Sequence, residues 1–252
     1  MPNKTLNSVF VIALCCTIST AQASWWEQAV DLLKGTQTSQ QPSATSTGSA
    51  VTTQDLNSAF KQALSLGSEA VVKQLSVEDG FNADSHIHIP LPQNLQTVKD
   101  VLSKFGMQNL MDDVELKLNR AAEAAAPQAK TLFLNAIKNM TFEDVQKIYQ
   151  GPQDSATQYL KSKTSDDLKA KMQPIIEETL NGVGAVNAYD KAIANYKNLP
   201  FVPDVKANLQ DHVTQKSLDG LFYYLAQQEQ AIRQDPAKQT TELLKRVFGN
   251  TQ

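Results

Sequence analysis

The chain has 252 residues, 41% of them hydrophobic and 19% charged, with a formal net charge of −3, enough apolar material for a packed core in one large or two small domains. The slightly acidic balance and the lack of a basic stripe argue against a nucleic-acid partner. Its two cysteines, Cys15 and Cys16, both lie near the N-terminus, so neither disulfide staples nor a thiolate nucleophile is expected in the body of the protein.

Residues 1–23 read as a secretory signal peptide. Lys4 supplies the basic residue, Val9 to Ile18 the apolar stretch, and Ala21-Gln22-Ala23 the small-x-small cleavage site. The apolar stretch is about ten residues, and a permanent membrane span takes roughly twenty. Leu14 stands before Cys15, where lipoprotein processing needs a small residue, so cleavage after Ala23 is preferred to lipidation. The expectation is an exported, periplasmic protein with no transmembrane segment in its mature chain and with both cysteines removed.

Residues 24–34 follow, with Trp26, Ala29, Val30 and Leu33 at helical spacing, and predict a short amphipathic helix. Residues 35–50 are polar and of low complexity, with no apolar side chain larger than alanine; they read as a flexible linker reaching on the order of 20–25 Å. Trp25 and Trp26 are thus candidate docking residues, free to seat on the protein's own body, on a partner or peripherally on a membrane. Glu27 and Asp31 against Lys34 disfavour anionic lipid.

The main domain is expected over residues 51–249. Leu56, Phe60, Ala63, Leu64, Val71 and Leu75 mark its first helix. A long extended loop is expected over residues 76–93, where His86-Ile87-His88-Ile89 alternates and Pro90 and Pro92 exclude a helix. Gly106 then divides a short helix from one running through Leu110, Val114, Leu118 and Ala125, and Pro127 suits a first helical turn. Thr141-Phe142-Glu143-Asp144 reads as a capping box and Gly151-Pro152 as a stop. A helix is expected from Ser165, kinked at Pro174, and another through Val186, Tyr189, Ile193 and Tyr196. Pro200 and Pro203 mark a connection, Leu218 to Ile232 a long helix, and Leu243 to Phe248 a last one. The fold class is all-α, a single multi-helix domain of roughly nine or ten helices with one long extended loop.

Two constellations carry possible chemistry. His86 and His88 would share a face of an extended strand and chelate a divalent metal, with Glu78, Asp79 or Asp84 completing the site; the plainer reading is polar residues alternating with Ile87 and Ile89. The acids of residues 78–84 lack the frame of an EF-hand, and turn formation explains Asp79-Gly80. The second constellation is polar: Arg120 with Glu123 and Lys216 with Asp219, each pair three apart on a helix, joined by Asn119 and Asp154. It is either a polar ligand site or a structural network. There is no Gly-x-Ser-x-Gly elbow, phosphate-binding glycine loop, His-Glu-x-x-His or dinucleotide fingerprint, and no cofactor is predicted.

The strings Ile87-His88-Ile89-Pro90-Leu91-Pro92, Leu118-Asn119-Arg120-Ala121-Ala122-Glu123, Met140-Thr141-Phe142-Glu143-Asp144, Gly151-Pro152-Gln153-Asp154-Ser155-Ala156-Thr157 and Thr214-Gln215-Lys216-Ser217-Leu218-Asp219-Gly220-Leu221-Phe222 resemble the DUF4197 family over roughly residues 51–249. The resemblance implies an exported, helical, envelope-associated protein and carries over no catalytic residues. The leading functional expectation is a non-enzymatic binding or interaction module whose partner is an envelope protein or a small ligand. Two alternatives stand beside it: a metal-assisted or acid/base enzyme at the 76–93 loop, and a small-molecule carrier with a pocket between helices.

Overall fold

Apolar residues recurring every three or four positions run through nearly all of the computed structural model, which describes residues 53–182 and 206–234. They form seven helices: α1 (Thr53–Leu75), α2 (Gln93–Ser103), α3 (Asn109–Ala125), α4 (Gln128–Lys138), α5 (Phe142–Gln150), α6 (Ser155–Gly182) and α7 (Lys206–Gln234). No strand occurs among the described residues. The all-α, single-domain expectation is met at that level. The expected signal peptide, Trp-containing helix and linker, the helix through Val186 to Tyr196, and the last helix lie outside the described residues.

The two longest helices, α6 and α7, pack along each other, and α3 lies across both. α1 sits on α7, α4 and α5, and α4 sits on α6. The second half of α3 is alanine-rich for a packing reason. Ala121, Ala122 and Ala125 are wholly buried, so α3 presents almost no side-chain bulk to its neighbours and can approach them closely. Larger groups fill the core elsewhere: Phe60 meets Tyr149 at 5.3 Å between ring centroids, and Phe133 meets Phe222 edge-on at 6.0 Å. No described helix is long and apolar enough to cross a membrane.

Local chemistry sets most of the helix ends. Gly106 adopts φ +71°, a left-handed conformation open to glycine at no steric cost, and it separates α2 from α3. The capping box at α5 forms as expected: the Thr141 hydroxyl accepts from the Asp144 backbone N–H and the Asp144 carboxylate accepts from the Thr141 N–H. Pro127 precedes α4 directly.

The start of α6 departs from expectation. A helix beginning at Ser165 is replaced by one of 28 residues beginning at Ser155. Ala156, Leu160, Thr164, Leu168, Met172, Ile176 and Leu180 are all buried on one stripe that continues through Ser165 without a break, and Ser165 bonds back to the Lys161 carbonyl. Burial of the stripe overrides the cap-like Ser-Asp-Asp string. Pro174 lies within the helix on its exposed side, where the Ala170 carbonyl that loses its partner faces solvent.

The N-terminal cap of α6 comes from another helix. The Glu229 carboxylate of α7, 2% exposed, accepts the backbone N–H groups of Ala156 (2.9 Å) and Thr157 (2.8 Å) and the Thr157 hydroxyl (2.9 Å). Arg233, one turn further along α7, donates to the same carboxylate through Nε (3.1 Å) and Nη2 (2.8 Å), and its Nη2 also reaches the Ile148 carbonyl at the end of α5. This combines a helix-dipole contact with a buried ion pair. Removing one partner of such a pair strands the other, so Glu229→Ala is expected to lower unfolding free energy by about 3–5 kcal/mol. Urea denaturation of the full chain is the check, and Glu229→Gln, which retains an acceptor oxygen, should lose less.

Candidate functional site

The segment between α1 and α2 was expected to be extended. Residues 76–83 and 85–87 instead form turns, and only the stretch from His88 to Pro92 runs free of them, with Ile87, Ile89 and Leu91 buried in alternation. His86 therefore falls in a turn, ahead of the alternation, and the face it was to share with His88 is not formed. Short-range turn bonds, such as Ile87 N–H and His88 N–H to the Asp84 carbonyl, set that course. The exposed His86 ring stacks on Tyr223 at 5.7 Å between centroids and approaches Asp84 at 3.4 Å. His88 Nδ1 lies 2.8 Å from the Asn82 carbonyl and Nε2 lies 2.8 Å from Glu115, so protein acceptors engage both ring nitrogens and neither is presented to a cation. Among the described residues no three His, Cys, Asp or Glu side chains group in a way that could hold a metal.

The loop is fastened along its whole length. Asn119, fully buried on α3, accepts the Ile89 N–H and donates to the Ile89 carbonyl, each at 2.9 Å, and so pairs with that residue as a neighbouring strand would. Glu123, 4% exposed, accepts the N–H groups of Phe81 (3.0 Å) and Asn82 (3.1 Å) on one oxygen and Arg120 (2.7 Å) on the other. Arg120 then extends to Asp79 (2.8 Å) and Glu78 (3.3 Å). From the other side, α7 contributes His212 to the Pro90 carbonyl and Tyr224 to Asp84. Gly220 of α7 lies against the loop, where an added Cβ would stand 2.8 Å from the Phe81 ring; any side chain there would push the loop away.

Asn119, Arg120 and Glu123 are thus brought together, as a structural clamp on the loop. Lys216 and Asp219 lie apart from them on the exposed face of α7, and Asp219 accepts from Gln215 rather than pairing with Lys216. Asp154 belongs to the turn before α6, where it accepts from Gln158. Trp25 and Trp26 lie outside the described residues. Sequence reasoning missed Glu229, whose only sequence-level mark is an acid four residues before Arg233.

The electrostatics agree with fastening. Asp79 is held below the usual carboxylate range by hydrogen bonds from Asn82 and Arg120. Asp84 is also lowered: burial opposes its ionisation, but the Tyr224 hydroxyl and the backbone and ring of His86 overcome that. The Tyr224 hydroxyl is pushed up to about 12 by its bond to Asp84 and by burial. Lys99 is raised by Asp112, against some burial, and with Glu115 it anchors α2 to α3.

Solvent-facing polar groups gather elsewhere, in an open groove of about 480 Å³ between α4, the start of α5 and α6. One wall is the α4 face bearing Leu132, Asn135, Ala136 and Asn139, and the other carries Tyr159, Lys163 and Asp167 of α6, with Thr141 and Asp144 closing one end. Lys163 lies over the Tyr159 ring at 5.7 Å, and the Tyr159 hydroxyl reaches Asp144 at 3.4 Å. The Asp144 carboxyl is held below its usual range, first by the Thr141 backbone N–H.

Two outcomes follow from the clamp. Glu123→Ala should leave the helices folded while amide hydrogen exchange at Phe81 and Asn82 accelerates by about five- to 150-fold, the loss of about 1–3 kcal/mol of local protection. Because Asp79 and Asp84 are lowered in the folded state, their contribution is complete above the ordinary carboxylate range and is lost as pH falls through their folded values. Melting temperature should therefore be flat from neutrality to about pH 5 and decline below about pH 4, and the decline should be shallower in Asp79→Asn/Asp84→Asn.

No curated protein and no solved structure matches this chain. The DUF4197 family, described as a protein of unknown function, matches residues 50–249, which takes in the clamp, the groove and every helix described above. The chain belongs to the DUF4197 family.

Proposed function

We propose that this is a non-enzymatic binding protein of the periplasm, exported by a signal peptide cleaved after Ala23, that takes its ligand in the groove between α4, α5 and α6. The observation that carries this reading is the division of polar groups. The buried ones that resembled a reactive cluster, Asn119 and Glu123, are saturated by the loop they hold, together with the half-buried Arg120 and His88. The groove, in contrast, exposes the Asn135 and Asn139 amides beside the apolar Leu132 and Ala136 and, across from them, the Lys163 ammonium and the Asp167 carboxylate, which is the composition of a recognition surface. The crevice between α1, α6 and α7, lined by Leu64, Ser68, Leu160 and Glu229, is only of water size, which favours the groove as the ligand's place. The Trp25-Trp26 segment, on its linker, serves this reading as a second docking element.

Ala136 lies on the α4 wall and is half-buried, so Ala136→Trp fills the groove, with an unchanged melting temperature as the control that the fold is kept. Native mass spectrometry of the full chain released from the periplasm should show a bound species that the Ala136→Trp protein lacks. An identical spectrum from both proteins would overturn the groove as the binding site. If residues 24–50 serve docking, deleting them should leave the melting temperature within about 1 °C, the effect of changing positions that do not contribute to the core; a large drop would overturn that role.

A further inference from the structure

The protein contains a worked example of how its asparagines can hold a peptide. Asn119 takes both the N–H and the carbonyl of Ile89, each at 2.9 Å, and thereby fixes one residue of a chain that has no strand beside it. In the groove, Asn135 in the last turn of α4 and Asn139, the residue that caps its end, stand four apart, both exposed, and their side-chain amides make no hydrogen bond among the described residues. Helix neighbours four apart are about 6 Å from one another at Cβ. Alternate residues of an extended chain repeat at about 6.6 Å. The two amides thus match the spacing at which a single extended peptide offers its N–H and carbonyl pairs along one edge.

We propose that the groove binds an extended peptide segment of a partner protein, with Asn135 and Asn139 pairing its backbone at alternate residues. The inference rests on the groove-binding reading and deepens it by naming the ligand class. The α4 face from Leu132 to Asn139 is about 10 Å long, a footprint of three or four extended residues. Leu132 and Ala136 form an apolar floor for one small apolar side chain. The charges select the other side chains: Asp167 on the far wall and Asp144 at the closed end outnumber Lys163, and the Thr141 cap holds the Asp144 carboxyl below its usual range. The complementary segment carries a lysine or arginine beside its small apolar residue.

The probe is a library of N-acetylated, C-amidated hexapeptides, screened against the full chain by fluorescence polarisation. Selected peptides should be enriched in Lys or Arg and should lose at least tenfold in affinity for Asn135→Ala/Asn139→Ala. Asn135→Ala puts a better helix former in the last turn of α4 and Asn139→Ala alters an exposed capping residue, so a largely unchanged melting temperature will show that the fold survives. N-methylation of the two paired peptide amides should abolish binding, which distinguishes backbone recognition from side-chain contact. No saturable peptide at millimolar concentration, selected peptides indifferent to the asparagine pair, or occupancy by N-acetylglucosamine oligomers in their place would each overturn the inference. If Ala136→Trp still strips a native ligand under any of those outcomes, the groove-binding reading survives and only the peptide assignment falls; if it strips nothing, both fall.

Discussion

Two carboxylates withdrawn from water hold this fold in register, and both meet the cost of burial in the same way. Glu123 on α3 and Glu229 on α7 each accept two backbone N–H groups from a distant segment and a guanidinium from their own helix, Arg120 three residues back and Arg233 four residues on. Desolvating a carboxylate is expensive unless its oxygens are filled. Here they are filled by groups that would otherwise be orphaned, the N–H donors of a loop that has no sheet to join and of a helix start that has no local cap. An apolar pair of similar volume would equal such an ion pair in stability but would leave those donors unmatched. The carboxylates therefore fix where segments start as much as they hold them in place.

The groove inherits its shape from this arrangement. Tyr159 and Lys163 lie on the turns of α6 that follow the N–H groups gripped by Glu229, while Arg233 ties the end of α5 to the same carboxylate. Asp144 at the other end is held by its own capping box. The walls are thus set by buried contacts rather than by the surface residues themselves. A groove so held is fixed before any ligand arrives, so under the proposed function little ordering entropy would be left for a ligand to overcome.

Much of the architecture was legible because it is local. The spacing of Leu56 to Leu75, the Thr141 box and the stop at Gly151-Pro152 are written within a few residues of where they act, and each is found in place. The 76–93 loop was misjudged because alternation over a few residues does not separate a strand from a turn that leads into an extended stretch; the turn is set by bonds to Asp84. Asn119, Arg120 and Glu123 are legible as a polar set, yet Asn119 and Glu123 grip backbone groups, and Arg120 reaches carboxylates, up to 42 residues away, which no side-chain spacing can reveal. Glu229 was missed for the same reason at greater range, since it caps a helix that begins 74 residues earlier. Asn135 and Asn139 carry no mark in the sequence, because exposed asparagines at a helix end are ordinary solvated positions until the opposing wall of α6 stands beside them.

The chain's three histidines, scattered as His86, His88 and His212 in the sequence, all converge on the one clamped loop, through Tyr223, Glu115 and the Pro90 carbonyl respectively. The protein consequently carries a built-in spectroscopic reporter. Its imidazole resonances arise from this corner alone, so the state of the loop can be followed in the unlabelled, unmodified protein while the groove on α4 and α6 is being filled, and any communication between the two would be visible without a single substitution.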